Sequence, residues 1–402
     1  MGGKIMLNVG VVGTSGRGYG LMKDVVLKLT DKVKITAVCD LYPDRVEDAQ
    51  KLVEEMSGVL PFGTTDYQQL LAREDVDAVL ITCAWEAHVP VAIAAMRLGK
   101  AVGTEVGGAY DIEDCWDLVK TYEETKTPFM FLENCCYGRR EMMALNMAEQ
   151  GVFGEVVHCT GAYGHDLRKE ISFGKENRHY RLRNYTHRNC ENYPTHELGP
   201  IARILHINDG NRMMKLSTAV SKAAGLHQYI KDNKSDDADL MSRTFNQGDV
   251  VTTTITCANG ETIVITLDTT LPRYYCRGLS VRGTKGMYEE ATDSVFLDDE
   301  HLEFEANWKE KWGNAEEYTD KYEHPVWKEY LANEMLGAHG GMDGLVLCAF
   351  FDSIIEGKPC PIDVYDAVAW MCITPLSEQS IALGGAPVAI PDFTRGKWYK
   401  HD

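Results

Sequence analysis

Between Leu7 and Asn134 the chain alternates short apolar runs with amphipathic stretches, and this alternation restricts its fold more than any other feature. Leu7–Gly13, Val33–Asp40, Val76–Cys83, Ala101–Val106 and Pro128–Asn134 are β-branched or apolar almost throughout. Strands apolar on both faces belong in a parallel sheet that is covered on both sides. Leu21–Leu29, Asp44–Met56, Ala87–Leu98 and Ile112–Glu124 carry helical spacing, with Gly99 as a C-terminal stop. The expected fold class is therefore α/β: a Rossmann-type doubly wound parallel sheet.

From about Gly151 the pattern changes. Val156–His165 reads as one long strand, and Val250–Cys257 and Glu261–Thr269 as alternating strands joined by Asn259-Gly260, a strong hairpin signal. Leu279–Gly283 and Gly286–Tyr288 continue the meander, and Gly344–Ile355 reads as an apolar helix. Arg168–Glu191 is polar, basic and aromatic without a period, which predicts a binding loop or lid. The second half is expected to be an α+β domain with a mostly antiparallel sheet. Residues 1–138 would bind a dinucleotide. Residues 139–402 would hold substrate and oligomer contacts, with the C-terminal tail packing back on the first domain.

The chain's 402 residues leave room for two domains and a sizeable core. With 60 acidic and 41 basic residues its net charge is −19, which disfavours nucleic acid and anionic membranes as partners. No apolar run reaches the ~18–20 residues of a membrane span. The start leads straight into a strand, without a signal core, so a cytoplasmic location is expected. Twelve scattered cysteines without a Cys-x-x-Cys predict buried reduced thiols and no metal site.

The first strand runs into Gly13-Thr14-Ser15-Gly16-Arg17-Gly18. Glycines there permit a tight turn and close approach of backbone N–H groups to a diphosphate. Gly13, Ser15, Gly16 and Arg17 are the candidate contacts, although Ser15 breaks the strict Gly-x-Gly-x-x-Gly spacing. Asp40 ends the second strand, where a carboxylate accepts from ribose hydroxyls and repels a 2′-phosphate. NAD is thus expected over NADP, with Arg45 nearby as a counterweight. Trp85, His88, Glu105, Glu133 and Asn134 lie at further strand ends, where ligands bind in such sheets.

In the second half, Asn192-Tyr193-Pro194-Thr195-His196-Glu197-Leu198-Gly199-Pro200 puts a phenol three residues from an imidazole beside a proline. A hydride cofactor in one half and a Tyr193/His196 acid–base pair in the other suggest redox chemistry on an alcohol.

These motifs together resemble the Gfo/Idh/MocA oxidoreductase superfamily: the glycine-rich loop, Val38–Asp40, Trp85–His88, Gly103–Val106 and Leu132–Asn134. Within it the chain resembles most nearly glycoside hydrolase family 109, NAD-dependent glycosidases such as alpha-N-acetylgalactosaminidase. That likeness extends over Gly161–Leu167, Tyr193–Gly199, Asn259–Thr266 and the tail from Pro361 to Trp398. It implies that Trp85 to His88, Glu105, Val106 and Asn134 contact NAD. It also implies that Tyr163, Arg181, Tyr193, Pro194, Thr195, His196 and Tyr275 line a sugar site. The superfamily's ordinary dehydrogenases carry Glu-Lys-Pro in the fifth strand. This chain reads Glu105-Val106-Gly107, so another residue must move the proton. Glu191 and Glu197 also depart from the family's usual residues, which puts the N-acetylgalactosamine preference in question. The superfamily's use of an exposed sheet in dimers makes a homodimer the expectation.

The implied chemistry is hydrolysis without net redox change. Transient oxidation at the sugar C3 acidifies the C2 proton, its loss expels the C1 substituent, water adds, and C3 is reduced again. His196 is expected to take the hydroxyl proton, since imidazoles titrate near neutrality. Tyr163 is expected to serve at C2, its phenol acidified by a cationic His165, with Arg181 orienting the sugar or stabilising the enolate. The alternatives are a glycoside 3-dehydrogenase that releases the keto sugar, and a non-catalytic dinucleotide or sugar sensor.

Overall fold

Strands β1 (Leu7–Val12), β2 (Val33–Cys39), β3 (Phe62–Thr64), β4 (Ala78–Ile81), β5 (Ala101–Thr104) and β6 (Phe129–Phe131) form one parallel sheet in the order β3-β2-β1-β4-β5-β6. This is the order of the dinucleotide-binding doubly wound fold. The computed structural model describes residues 6–301, 308–333 and 339–399. Val9, Val11, Ala37, Val38, Ala78, Val79, Leu80, Ile81, Val102 and Phe129 to Phe131 are all buried, as a sheet covered on both faces requires. Each large aliphatic side chain so buried contributes at most about 1.5–3 kcal/mol.

The helices between these strands start and stop for local reasons. Pro43 opens the Pro43–Ser57 helix, and Gly58 ends it in the left-handed region. Asp111 caps Ile112–Thr125 by accepting from Asp114 N. One helix departs from expectation. It begins at Arg17, inside the glycine-rich segment, runs to Asp24 and gives way to a single 3-10 turn at Val26–Lys28. Edge strand β3 is too short to show as a periodic run in the sequence.

Contacts divide the chain into two compact units. The first is Met1–Gly138 with Glu329–Val368, and the second is Arg139–Lys328 with Ala369–Asp402. The division is not two consecutive stretches, because the helix Met342–Glu356 has apolar residues all round and is buried along most of its length. Its Phe350 ring lies 2.9 Å from where a side chain at Gly103 of β5 would begin. Phe131 N also donates to Ile362 O. The tail from Ala369 groups with the second unit.

The second unit holds an eight-stranded sheet among the described residues. It comprises β7 (Val156–Gly164), β8 (Met213–Val220), β9 (Val250–Cys257), β10 (Thr262–Asp268), β11 (Ser280–Gly283), β12 (Gly286–Glu289), β13 (Ser294–Leu297) and β14 (Val388–Ala389). Their order is β13-β12-β11-β7-β10-β9-β8-β14, antiparallel except for β7 with β10. The expected meander is therefore interrupted: β11 pairs with β7, not with β10. The Asn259-Gly260 turn forms as expected, with Gly260 at φ 102.

Arg168–Glu191 is not a structureless loop. It contains the short helices Arg168–Ser172 and Arg181–His187, which bury Ile171, Leu182 and Tyr185. Each is too short to display a period in the sequence. Thr195–Ile204 is also helical, although Pro200 lies inside it. Having no N–H, Pro200 cannot donate to the His196 carbonyl one turn back.

Candidate functional site

In the first unit the glycine-rich segment makes the turn that a dinucleotide needs. Gly13 has φ 98, and a Cβ there would lie 2.3 Å from Cys83 N. A Cβ on Gly18 would lie 1.9 Å from Gly13 O, so β1 and the following helix can approach only through glycine. Gly16 is exposed at φ 49 with open space around it. A backbone free of side chains at a helix N-terminus fits a diphosphate.

Asp40 is buried, and its carboxylate accepts from Thr14 N at 3.0 Å and Tyr42 N at 3.2 Å. It thereby ties the end of β2 to the glycine turn. Arg45 Nη1 is 3.7 Å from Asp40 Oδ1, and its guanidinium stacks on Tyr42. At the ends of β4 to β6 the expected residues are also brought together. His88 Nε2 donates to Cys83 O at 3.0 Å, and burial pushes its pKa down to about 4, so it is neutral. Trp85 packs against Gly107, where a Cβ would come 2.5 Å from the ring. Glu105 Oε2 accepts from Val106 N and Oε1 from Arg17 Nε. Glu133 is buried and caps the turn that carries Asn134.

Asp343, which no sequence signal marks, belongs to the same group. It accepts from Arg17 and, across 209 residues, from Asn134 Nδ2 at 2.8 Å.

In the second unit the aromatic and basic candidates form one cluster. Tyr163 stands near the end of β7, and its hydroxyl and His165 Nδ1 are hydrogen-bonded at 3.1 Å. Its ring centroid lies 4.5 Å from that of Tyr193 and 5.5 Å from that of His196. Tyr193 and His196 centroids are 4.9 Å apart. Pro194 and Thr195 are buried at the start of the helix that carries His196. Tyr275 is 47% exposed, edge-on to His165 at 5.2 Å. Arg181, at the start of its helix, is buried with its guanidinium 5.3 Å from the Tyr193 ring. Glu170, unmarked in the sequence, pairs with Arg181.

The electrostatics correct one expectation. Burial lowers the pKa of His165, and the Arg181 charge lowers it further, so His165 is not the cation beside Tyr163. Arg181 is that cation: burial opposes its charge, but Tyr180, Glu170, Tyr163 and Tyr193 keep it firmly protonated. Burial pushes the Tyr163 phenol well above its ordinary value, and Arg181 pulls it only part of the way back. Tyr163 is thus a protonated phenol hydrogen-bonded to a neutral imidazole.

Glu191 and Glu197 are both buried in this unit. Glu191 N donates to Ser377 Oγ, and Thr374 Oγ1 donates to the Glu191 carbonyl. Burial raises the Glu191 carboxyl to about 8. Glu197 packs against Gly161, where a Cβ would come 2.7 Å from its own Cβ. All twelve cysteines are free, and most are buried. Among the described residues no helix is long and apolar enough to cross a membrane.

The strand order, the glycine turn and the acidic end of β2 define an NAD-binding Rossmann protein of the oxidoreductase type. The profile of the oxidoreductase family with an NAD-binding Rossmann fold matches residues 7–132, and that of the glycosyl hydrolase 109 C-terminal domain matches residues 137–400. The chain belongs to glycosyl hydrolase family 109. A family 109 protein of Stenotrophomonas maltophilia is 39% identical over 98% of this chain and 90% of its own length. The alpha-N-acetylgalactosaminidase of Tannerella forsythia is 38% identical over 98% of this chain and 87% of its own. Solved structures share the fold at lower identity. Levoglucosan dehydrogenase in complex with NADH and levoglucosan superposes with a TM-score of 0.69 at 16% identity, covering 96% of this chain and 100% of that one. The myo-inositol dehydrogenase of Lactobacillus casei in complex with NAD(H) and myo-inositol gives 0.65 at 16% identity, covering 98% and 100%.

Proposed function

We propose that the protein hydrolyses a glycoside without net redox change, using NAD. The observation that carries this reading is the packing of two phenols, a histidine and a guanidinium into one cluster, Tyr163, Tyr193, His196 and Arg181. Such a set suits proton removal from an alcohol and from carbon, with a cation for the oxyanion. The fifth strand's Glu105-Val106-Gly107 supports it too, because the lysine that serves ordinary dehydrogenases of the superfamily is missing. Asp40, by its charge, favours NAD over NADP.

When bound, the dinucleotide supplies the oxidation of the sugar C3 and its later reduction. His196 takes the proton of the C3 hydroxyl and returns it at the end. Tyr163 is too basic as a phenolate to wait ionised, so the base at C2 is the Tyr163–His165 pair. The C2 proton passes to the Tyr163 oxygen as the phenol proton passes to His165 Nδ1. Arg181 steadies the enolate oxygen. The electron pair left at C2 forms the C1–C2 double bond as the C1 substituent departs. Water then adds at C1, and C2 is reprotonated.

The relative named alpha-N-acetylgalactosaminidase makes amino sugars the first substrates to try. Incubation with an aryl glycoside in D₂O tests the reading. Released aglycone, deuterium at C2 of the sugar and no net NADH are expected. Stoichiometric NADH with an intact glycosidic bond would establish a dehydrogenase instead, and cleavage without C2 exchange a two-carboxylate hydrolase.

A further inference from the structure

Asp343 is the second residue of the Met342–Glu356 helix, and its side chain is wholly buried. Arg17 Nη1 and Nη2 donate to its two oxygens at 2.6 Å each. Asn134 Nδ2 donates to Oδ1 at 2.8 Å, and His339 Nδ1 lies 2.7 Å from Oδ2. Arg17 in turn donates through Nε to Glu105 at 2.9 Å. The helix after β1 and the turn after β6 thus share one anion, and Arg17 links it to Glu105 after β5. Gly340 at φ 64 and Gly341 at φ 102 turn the chain so that His339 and Asp343 reach it together.

Two consequences follow from hydrogen-bond capacity. A carboxylate offers about four acceptor sites, and these contacts use them, so Asp343 is saturated by protein. Its effect on a ligand therefore passes through the groups it holds. Arg17 has its charge balanced by Asp343 and shared with Glu105, so it is not a free cation for phosphate. Asn134 spends an amide N–H on Asp343, and this fixes which way its amide points. Its carbonyl oxygen accepts from Cys135 Sγ at 3.6 Å and has a second lone pair for another donor. β4 to β6 form the nicotinamide half of a doubly wound site. An acceptor there matches the N–H of a carboxamide.

We propose that Asp343 is the positioning residue of the nicotinamide half, orienting Asn134, and Arg17 with Glu105, for a nicotinamide carboxamide. This rests on the reading that the protein uses NAD. The carboxylate's burial and the charge of Arg17 and His339 agree with it. Burial alone would raise the Asp343 pKa, but hydrogen bonds from Arg17 and His339 hold it well below the carboxylate range.

Asp343→Asn keeps the shape but turns an N–H₂ group toward the Arg17 guanidinium. The test is titration calorimetry of the full chain with NAD⁺ and with ADP-ribose, which lacks the nicotinamide. For D343N the affinity for NAD⁺ should fall about tenfold or more, and that for ADP-ribose should stay within about twofold, tenfold being about 1.4 kcal/mol. Unchanged NAD⁺ affinity, or equal loss for both ligands, overturns the proposal. If D343N does not fold, Asp343→Ser is measured in the same way. Failure of both to fold assigns Asp343 to stability alone and also overturns it. If the unaltered protein binds ADP-ribose and NAD⁺ equally weakly, the functional reading fails before the role of Asp343 is reached.

Discussion

Glu191→Gln should stabilise the protein at alkaline pH and change little in mild acid. Glu191 is wholly buried, with its backbone pinned by Ser377 and Thr374. Burial raises its carboxyl from 4.5 to about 8, and the backbone N–H groups of Tyr193 and Leu267 pull it back only in part. The folded state therefore holds this proton more tightly than the unfolded chain does. Below the unfolded value both states are protonated, and the group costs nothing. As pH rises from 4.5 to about 8 only the unfolded chain releases the proton, so stability falls, and above that the loss levels off. At about 1.4 kcal/mol per unit, the shift corresponds to roughly 3–5 kcal/mol. Glutamine keeps the volume and has no proton to lose. Urea unfolding at about pH 5 and about pH 9 measures the difference between variant and parent at each. The difference should be small at the acid end and approach the full loss at the alkaline end. A difference that is the same at both would refute the assignment of a buried neutral carboxyl.

Two further outcomes test the second unit. Gly161→Ala places a Cβ 2.7 Å from Glu197 Cβ and 3.1 Å from Ile201 Cδ1, so β7 and the Thr195–Ile204 helix must separate. A loss of roughly 1–3 kcal/mol is expected in thermal or urea unfolding, and an unaltered midpoint contradicts the packing. His196→Ala should abolish the transient NADH absorbance on mixing with substrate while leaving NAD⁺ affinity intact. Normal NADH formation in that variant would show that another group takes the hydroxyl proton.

The parallel sheet was readable because its signals are local and redundant. Strands buried on both faces must be apolar throughout, and the helices between them carry their own caps, as Pro43 and Asp111 do. The glycine turn was readable for the same reason, and Asp40 because it sits where the second apolar run ends. The helices Arg168–Ser172 and Arg181–His187 were not, because five and seven residues are too few to show a period. The parallel pairing of β7 with β10 was also hidden, since hairpin signals report on neighbours in sequence and not on a strand inserted between them.

The sequence by itself determined the α/β class and the dinucleotide turn, and it marked Tyr193 and His196, and through the family likeness Tyr163 and Arg181, as candidates for the chemistry. Their side chains bear that chemistry wherever they are placed. Tertiary structure alone decided how those groups are charged. Burial and the Arg181 charge keep His165 neutral, and burial keeps Tyr163 a protonated phenol, where the residue types suggest a cation beside a phenolate. It alone brought Glu170 to Arg181 and Asp343 to Arg17 and Asn134. A carboxylate reads the same in any sequence. What it does depends on how much water it has lost and which donors replace that water, and both are set by residues far away in the chain.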